Sequence, residues 1–199
     1  MDIEWCFYEN MFNTEECDKI IDDSKNIEFF QGEVGVNRYE HSSTQKVDNN
    51  IRRSKIKFIQ ENNKNFAWMF EKLWHYAHHA NRNFRFDINN LEFVQIAEYD
   101  QEYKGCYVTH ADVFWFQPEK HYSRKLSCTL QLSDPSEYSG GDFLLEHLDG
   151  VYPTPSEKKQ MRGRGTGIFF PSFINHSVKE VTRGRRYSIT AWFEGPKWR

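Results

Sequence analysis

The sequence predicts an α+β domain, mainly β with flanking helices. Two patterns carry this. From Leu91 onward apolar and polar residues alternate with period two, as in Glu92 to Tyr99 and Leu126 to Leu132. Turn residues punctuate that half at Asp134-Pro135, Gly140-Gly141, Gly163 to Gly167 and Arg183-Gly184. Short strands separated by such turns point to a sandwich or barrel. Before Leu91, apolar residues recur at helical spacing instead.

In chain order, Asn13-Thr14-Glu15-Glu16 reads as a helix start, with a capping side chain and early acids, and Cys17, Ile20 and Ile21 form an apolar stripe behind it. Residues 27–36 read as extended. The polar stretch 37–50, rich in Asn, Ser and Thr, reads as a loop. Arg52, Arg53, Lys55 and Lys57 read as a solvated strand edge; the functional alternative is a contact to an acidic or peptide substrate at the site entrance. Asn65 to Asn83 places Phe66, Met69, Phe70, Leu73, Trp74 and Ala77 on one helical face. We therefore expect one domain over 1–199, with helical support over about 1–90 and a β core over about 91–199.

Strand phase separates two faces. In 126–132, Leu126, Cys128, Leu130 and Leu132 oppose Ser127, Thr129 and Gln131. In 186–193, Tyr187, Ile189, Ala191 and Phe193 oppose Arg186, Ser188, Thr190 and Trp192. A sheet with one wet side gives this alternation, and so does a barrel with a polar, ligand-holding interior. Arg186 on the polar face favours the barrel.

Composition bounds the function. The net charge of -3 does not suggest a polyanion-binding surface, so no nucleic-acid partner is expected. No apolar run reaches membrane-spanning length, and Met1 to Glu4 lacks a signal-peptide pattern. Cys6, Cys17, Cys106 and Cys128 are scattered without zinc-type spacing, which fits reduced thiols and a cytoplasmic location. The Asn- and Lys-rich composition points to an AT-rich microbial or viral genome.

The chemistry-bearing pattern is His110-Ala111-Asp112, then His176, then Arg186 ten residues later. Two imidazoles and one carboxylate form a three-ligand face for non-haem Fe(II). On a strand, residues two apart share a side, so His110 and Asp112 can grip one ion. A guanidinium nearby suits a dicarboxylic acid co-substrate.

With its flanking sequence this set resembles the Fe(II)/2-oxoglutarate-dependent dioxygenases of the prolyl 4-hydroxylase-like, PKHD-type hydroxylase family. The matching segments run from Glu16-Cys17-Asp18-Lys19-Ile20-Ile21 and Phe93-Val94-Gln95 to Tyr107 through Asp112. They continue through Arg124 to Ser127, Tyr138 to Phe143, and Phe170-Pro171-Ser172 to Arg186. The resemblance implies a double-stranded β-helix (jelly-roll) core. It implies His110, Asp112 and His176 as iron ligands, with Arg186 pairing the distal carboxylate of 2-oxoglutarate. It implies Fe(II), 2-oxoglutarate and O2 as cofactors, ascorbate as a supporting reductant, and hydroxylation of a prolyl residue in a peptide or protein. Tyr99 matches a co-substrate-binding tyrosine, but its interval to His110 is about two residues longer than usual, which leaves Tyr103 and Tyr107 as alternatives. Gln131, Thr129 and Thr190 are further candidates for that pocket, and Trp115 and Trp192 for substrate contact. Gly140-Gly141 reads either as a tight bend beside the metal or as an ordinary hairpin pair.

His75, His78 and His79 form a second cluster, but no zincin glutamate or third ligand accompanies them, so a solvated helix face is expected. Three rival functions remain: oxygenation of a free amino acid or other small metabolite, nucleic-acid demethylation, and a non-catalytic jelly-roll binding protein. Demethylation predicts a second arginine six residues after Arg186, where Trp192 stands.

Overall fold

The computed structural model describes residues 4–35, 45–91, 93–113, 121–146 and 152–198. In chain order its elements begin with β1 (Cys6–Tyr8), α1 (Thr14–Asp23), β2 (Phe30–Gln31), β3 (Val34–Gly35), β4 (Gln45–Lys46), β5 (Arg52–Arg53) and β6 (Lys55–Gln60). Next come α2 (Ala67–Phe84), β7 (Phe93–Asp100), β8 (Cys106–His110), β9 (Tyr122–Gln131), β10 (Ser139–Gly140) and β11 (Phe143–Leu145). The chain closes with α3 (Pro155–Met161), β12 (Gly167–Pro171), β13 (His176–Val178), β14 (Val181–Arg183) and β15 (Arg185–Pro196).

Two antiparallel sheets form the core. The major sheet runs β1-β12-β9-β15-β7-β6-β2 and the minor sheet β11-β13-β8-β5. Ile56, Ala97 and Tyr99 of the major sheet pack against Val178 and Tyr107 of the minor one, so the sheets face each other as a jelly roll. The first ninety residues are therefore more than helical support. β1 extends one edge of the major sheet and β6 pairs with β7, while β5 completes the minor sheet. The loop expected over 37–50 is likewise revised at its end, where Gln45–Lys46 pairs with β3; residues 36–44 lie outside the described residues.

The helices cover the outer face of the major sheet. Asn13 caps α1 through a reciprocal box with Glu16, satisfying two donors at the helix start. A 3-10 turn, Lys64–Phe66, leads into α2, whose Met69, Phe70, Leu73, Ala77, Ala80 and Phe84 are buried at helical spacing. They meet Leu126, Cys128, Leu130, Ile189, Ala191 and Phe193, all essentially inaccessible. Burying each large apolar side chain contributes about 1.5–3 kcal/mol, so this layer is a principal source of stability. The opposite face of the same strands is also buried: Ser127, Thr129, Gln131, Arg186 and Ser188 are each at most 5% exposed. The polar face is thus not a wet outer side. It faces the interior between the sheets.

Among the described residues no helix is long and apolar enough to cross a membrane. His75, His78 and His79 are exposed on α2, as expected of a solvated face.

Candidate metal centre and co-substrate pocket

β8 and β13 are neighbours in the minor sheet, with His110 directly opposite His176. Their rings lie 4.2 Å apart between centroids. Asp112 completes the group by a route that alternation alone did not predict. β8 ends at His110, and the chain beyond it is held by Asp112 N–H and Val113 N–H donating to the Ser172 carbonyl, at 2.9 and 3.1 Å. One ligand atom from each of His110, Asp112 and His176 falls within 4.8 Å of the others. The Asp112 oxygens sit 3.9 Å from His110 Nε2 and 3.6 Å from His176 Nε2.

Each side chain is oriented by a neighbour. His110 Nδ1 lies 2.8 Å from the Val108 carbonyl and His176 Nδ1 3.0 Å from the Ile174 carbonyl. A carbonyl can only accept, so each Nδ1 carries the proton and Nε2 is left as the free ligand atom. The Ser127 hydroxyl donates to Asp112 Oδ2 at 2.7 Å. Burial, and after it the neighbouring His176, push the His110 imidazole down to about 3. Asp112 lies below the ordinary carboxylate range: burial raises it, but the two histidines, Arg124 and Ser127 outweigh that. Two imidazoles and one carboxylate with their ligand atoms gathered in one group fit the donor set of an Fe(II) site.

The His110 shift has a consequence for the metal-free protein. Unfolded, this imidazole titrates near 6.5; folded, it stays neutral down to about pH 3. Between those values the unfolded chain binds the extra proton, so stability must fall as the pH drops from 6.5. We expect a loss of up to about 1.4 kcal/mol per pH unit between about pH 6.5 and 5, above the carboxylate range. Urea midpoints of metal-free protein and of His110→Gln check this, because the substitution should flatten the slope.

The triad opens into a cavity of about 430 Å³ between the sheets. Its major-sheet wall carries Tyr99, Thr129, Arg186, Ser188, Thr190 and Trp192, and its minor-sheet wall Tyr107, His110, Phe143 and His176. Arg186 is 1% exposed. Its Nη2 donates to Gln131 Oε1 at 2.9 Å and its Nη1 to the Ser188 hydroxyl at 3.3 Å, while the buried Nε has no partner. A buried guanidinium with an unspent donor and, among the described residues, no carboxylate paired with it fits an anionic ligand.

Tyr99 stands opposite Arg186 in the β7–β15 register, with its ring 5.4 Å from the guanidinium carbon. Between Tyr99 and β8 the chain makes a 3-10 turn, Gln101–Tyr103, outside the strands. Tyr103 is taken out of contention: its hydroxyl donates to Glu98 away from the cavity. Tyr107 lines the cavity and stacks on His110 at 3.5 Å between centroids, and its hydroxyl is pushed up to about 12, chiefly by burial. Gln131 meets Arg186 with its carbonyl, so it orients the guanidinium. Trp192 lines the cavity with a buried, unpartnered Nε1, and the Arg124 guanidinium lies 3.8 Å above its ring. Trp115 lies outside the described residues.

Of the two readings of Gly140-Gly141, the bend beside the metal is not met, because none of the atoms nearest an added Cβ belongs to His110, Asp112 or His176. A Cβ on Gly140 would strike the Glu180 carbonyl at 2.1 Å, and one on Gly141 would press Arg186 Cδ at 3.1 Å. Gly141 also has φ +65, so Gly141→Ala should cost about 1–2 kcal/mol and weaken co-substrate binding while leaving metal affinity intact. Parallel titrations with Mn(II) and 2-oxoglutarate test that split. The basic run 52–57 is not uniformly solvated either. Arg52 and Lys57 are each 5% exposed, and Arg52 lines the cavity. Ser127 and Arg124 were not singled out in the sequence, and of the two only Ser127 carried a signal, its place on the polar strand face; Arg52 stood in the basic run, whose functional alternative was a substrate contact at the site entrance.

Residues 94–194 match the model of the 2OG-Fe(II) oxygenase superfamily, which is half of the chain. The chain belongs to that superfamily. A 69-residue stretch of the oxygenase is 36% identical to PKHD-type hydroxylases of Acinetobacter baylyi and Prochlorococcus marinus, over 35% of this chain. That match covers only 28% of each relative's length. The fold is shared with a Pseudomonas putida prolyl-4-hydroxylase, at TM-score 0.65 and 18% identity over 98% of this chain and 94% of that one. It is also shared with a Trichoplax adhaerens prolyl hydroxylase in complex with a hypoxia inducible factor peptide fragment. There the TM-score is 0.70 and the identity 17%, over 96% of this chain and 83% of that one.

Proposed function

We propose that this oxygenase couples oxidative decarboxylation of 2-oxoglutarate to hydroxylation of a C–H bond, with a prolyl residue in a peptide or protein as substrate. The observation that carries the reading is that the His110–Asp112–His176 group and the buried Arg186, whose Nε has no partner, line one cavity from opposite sheets. When bound, Fe(II) with 2-oxoglutarate and O2 supplies the oxidising chemistry, releasing succinate and CO2 as the substrate gains one oxygen.

The chain's own residues set the geometry. His110, Asp112 and His176 hold the metal. Val108 and Ile174 fix the two tautomers by accepting from Nδ1, and Ser127 pins the carboxylate. Arg186, oriented by Gln131 and Ser188, takes the distal carboxylate of 2-oxoglutarate. Tyr99, Tyr107, Thr129 and Thr190 line the same cavity as co-substrate contacts and Trp192 as a substrate contact; Trp115 is a further proposed substrate contact. Tyr99 and Thr129 are buried, at 4% and 5% exposed, which limits water at their part of the cavity. The peptide reading draws support from the Trichoplax neighbour, whose structure contains a peptide. Four free cysteines support action in a reducing, cytoplasmic setting, with ascorbate as supporting reductant.

The test is succinate release from 2-oxoglutarate with Fe(II) and ascorbate, with and without a panel of prolyl peptides. Stimulation by one peptide that gains one oxygen supports the whole reading. Slow release that no peptide stimulates keeps the iron chemistry and moves the substrate to a small metabolite. No release sinks the enzymatic reading.

A further inference from the structure

Arg52 is built into the cavity wall with one corner left over. Its Nε donates to the Ser54 hydroxyl at 2.7 Å and its Nη1 to the Glu33 carbonyl at 3.3 Å. Its guanidinium carbon lies 4.7 Å from the centre of the Tyr107 ring. Gly32 makes room for it: a Cβ there would lie 2.6 Å from Arg52 Nε and 2.4 Å from the Ser54 hydroxyl. The side chain is thus fixed from several directions. Its Nη2 is nonetheless buried without a partner, and among the described residues no carboxylate pairs with it.

The position gives this corner meaning. The Tyr107 ring that Arg52 covers is itself stacked on His110, so Arg52 stands one ring away from the metal group. Among the described residues three guanidiniums line the cavity, and two have evident tasks. Arg186 faces the co-substrate end, and Arg124 covers Trp192 and reaches the Asp112 carbonyl at 3.4 Å. Arg52 has none. A buried cation without a counter-charge is costly, and a neutral carbonyl would meet its hydrogen bond but leave its charge uncompensated. A carboxylate meets both.

We propose that Arg52 is a specificity-determining residue and that the substrate presents a carboxylate to its guanidinium. This rests on the reading of the cavity as the oxygenase active site and narrows the substrate class within it. The carboxylate belongs either to a free α-carboxyl group, as in an imino acid or a chain end, or to an acidic side chain beside the reacting residue.

Two matched pairs of probes test this on protein loaded with Mn(II) and 2-oxoglutarate, with binding followed by calorimetry. The first pair is N-acetylproline against N-acetylprolinamide. The second is N-acetyl-Pro-Asp-amide against N-acetyl-Pro-Asn-amide. In one pair the acid should bind about tenfold tighter or more than its neutral partner, and that pair identifies the source of the carboxylate. Arg52→Gln should erase the difference, and Arg52→Lys should restore part of it. Equal or undetectable binding of all four probes to the wild-type protein overturns the proposal, and so does a preference that survives in Arg52→Gln. The wild-type comparison stands even where a variant fails to fold. Conversion of 2-oxoglutarate to succinate by the wild-type iron protein, without any probe, tests the underlying active-site reading separately.

Discussion

His110→Ala should abolish succinate formation and weaken metal binding by more than the ~10–100-fold that loss of a supporting outer partner costs. The reason is geometric. His110 and His176 face each other across two hydrogen-bonded strands, and Asp112 is held between them by Ser127 and the Ser172 carbonyl. Without His110 the ion keeps one imidazole and one carboxylate, and the stack with Tyr107 is lost as well. Fluorescence titration with Mn(II) reads the affinity directly, and circular dichroism confirms that the variant folds. Near-normal turnover in a folded variant would sink the metal assignment.

Arg186→Ala should raise the 2-oxoglutarate requirement on the order of 30- to 4,000-fold, the equivalent of about 2–5 kcal/mol for truncating one partner of a buried charge pair. It should also lower stability, because the side chain is among the largest fully buried ones and its removal leaves a cavity and an unpaired Gln131 carbonyl. Arg186→Lys separates the two effects. It keeps the charge and part of the volume but loses the planar fork, so its requirement should fall between wild type and Ala. Initial rates against 2-oxoglutarate concentration check both variants, while Mn(II) affinity should stay near wild type. An unchanged requirement in Arg186→Ala would place the carboxylate partner elsewhere.

Much of this arrangement is legible in the residues themselves. The alternation of Leu126 to Leu132 and of Arg186 to Phe193 separates a helix-packed face from a cavity face, because a strand can only point successive side chains to opposite sides. The capping box at Asn13 and the apolar stripe of α2 mark their helices through short-range spacing alone. The kinds of ligand follow from residue chemistry, since a His, Asp, His set has few structural uses together.

Other features were decided only by the tertiary structure. Asp112 is placed by the Ser172 carbonyl, 60 residues away in sequence, after β8 has already ended. Gln131 turns its carbonyl towards Arg186 because that donor stands across the β9–β15 pairing. Arg52 looks like part of a solvated basic run, yet Gly32, Ser54 and Tyr107 close over it and leave one buried donor free. Local sequence sets which face a side chain takes. Whether that face meets water, a helix or a cavity depends on which distant segments pack on it, and so burial, pairing and charge compensation belong to the assembled fold.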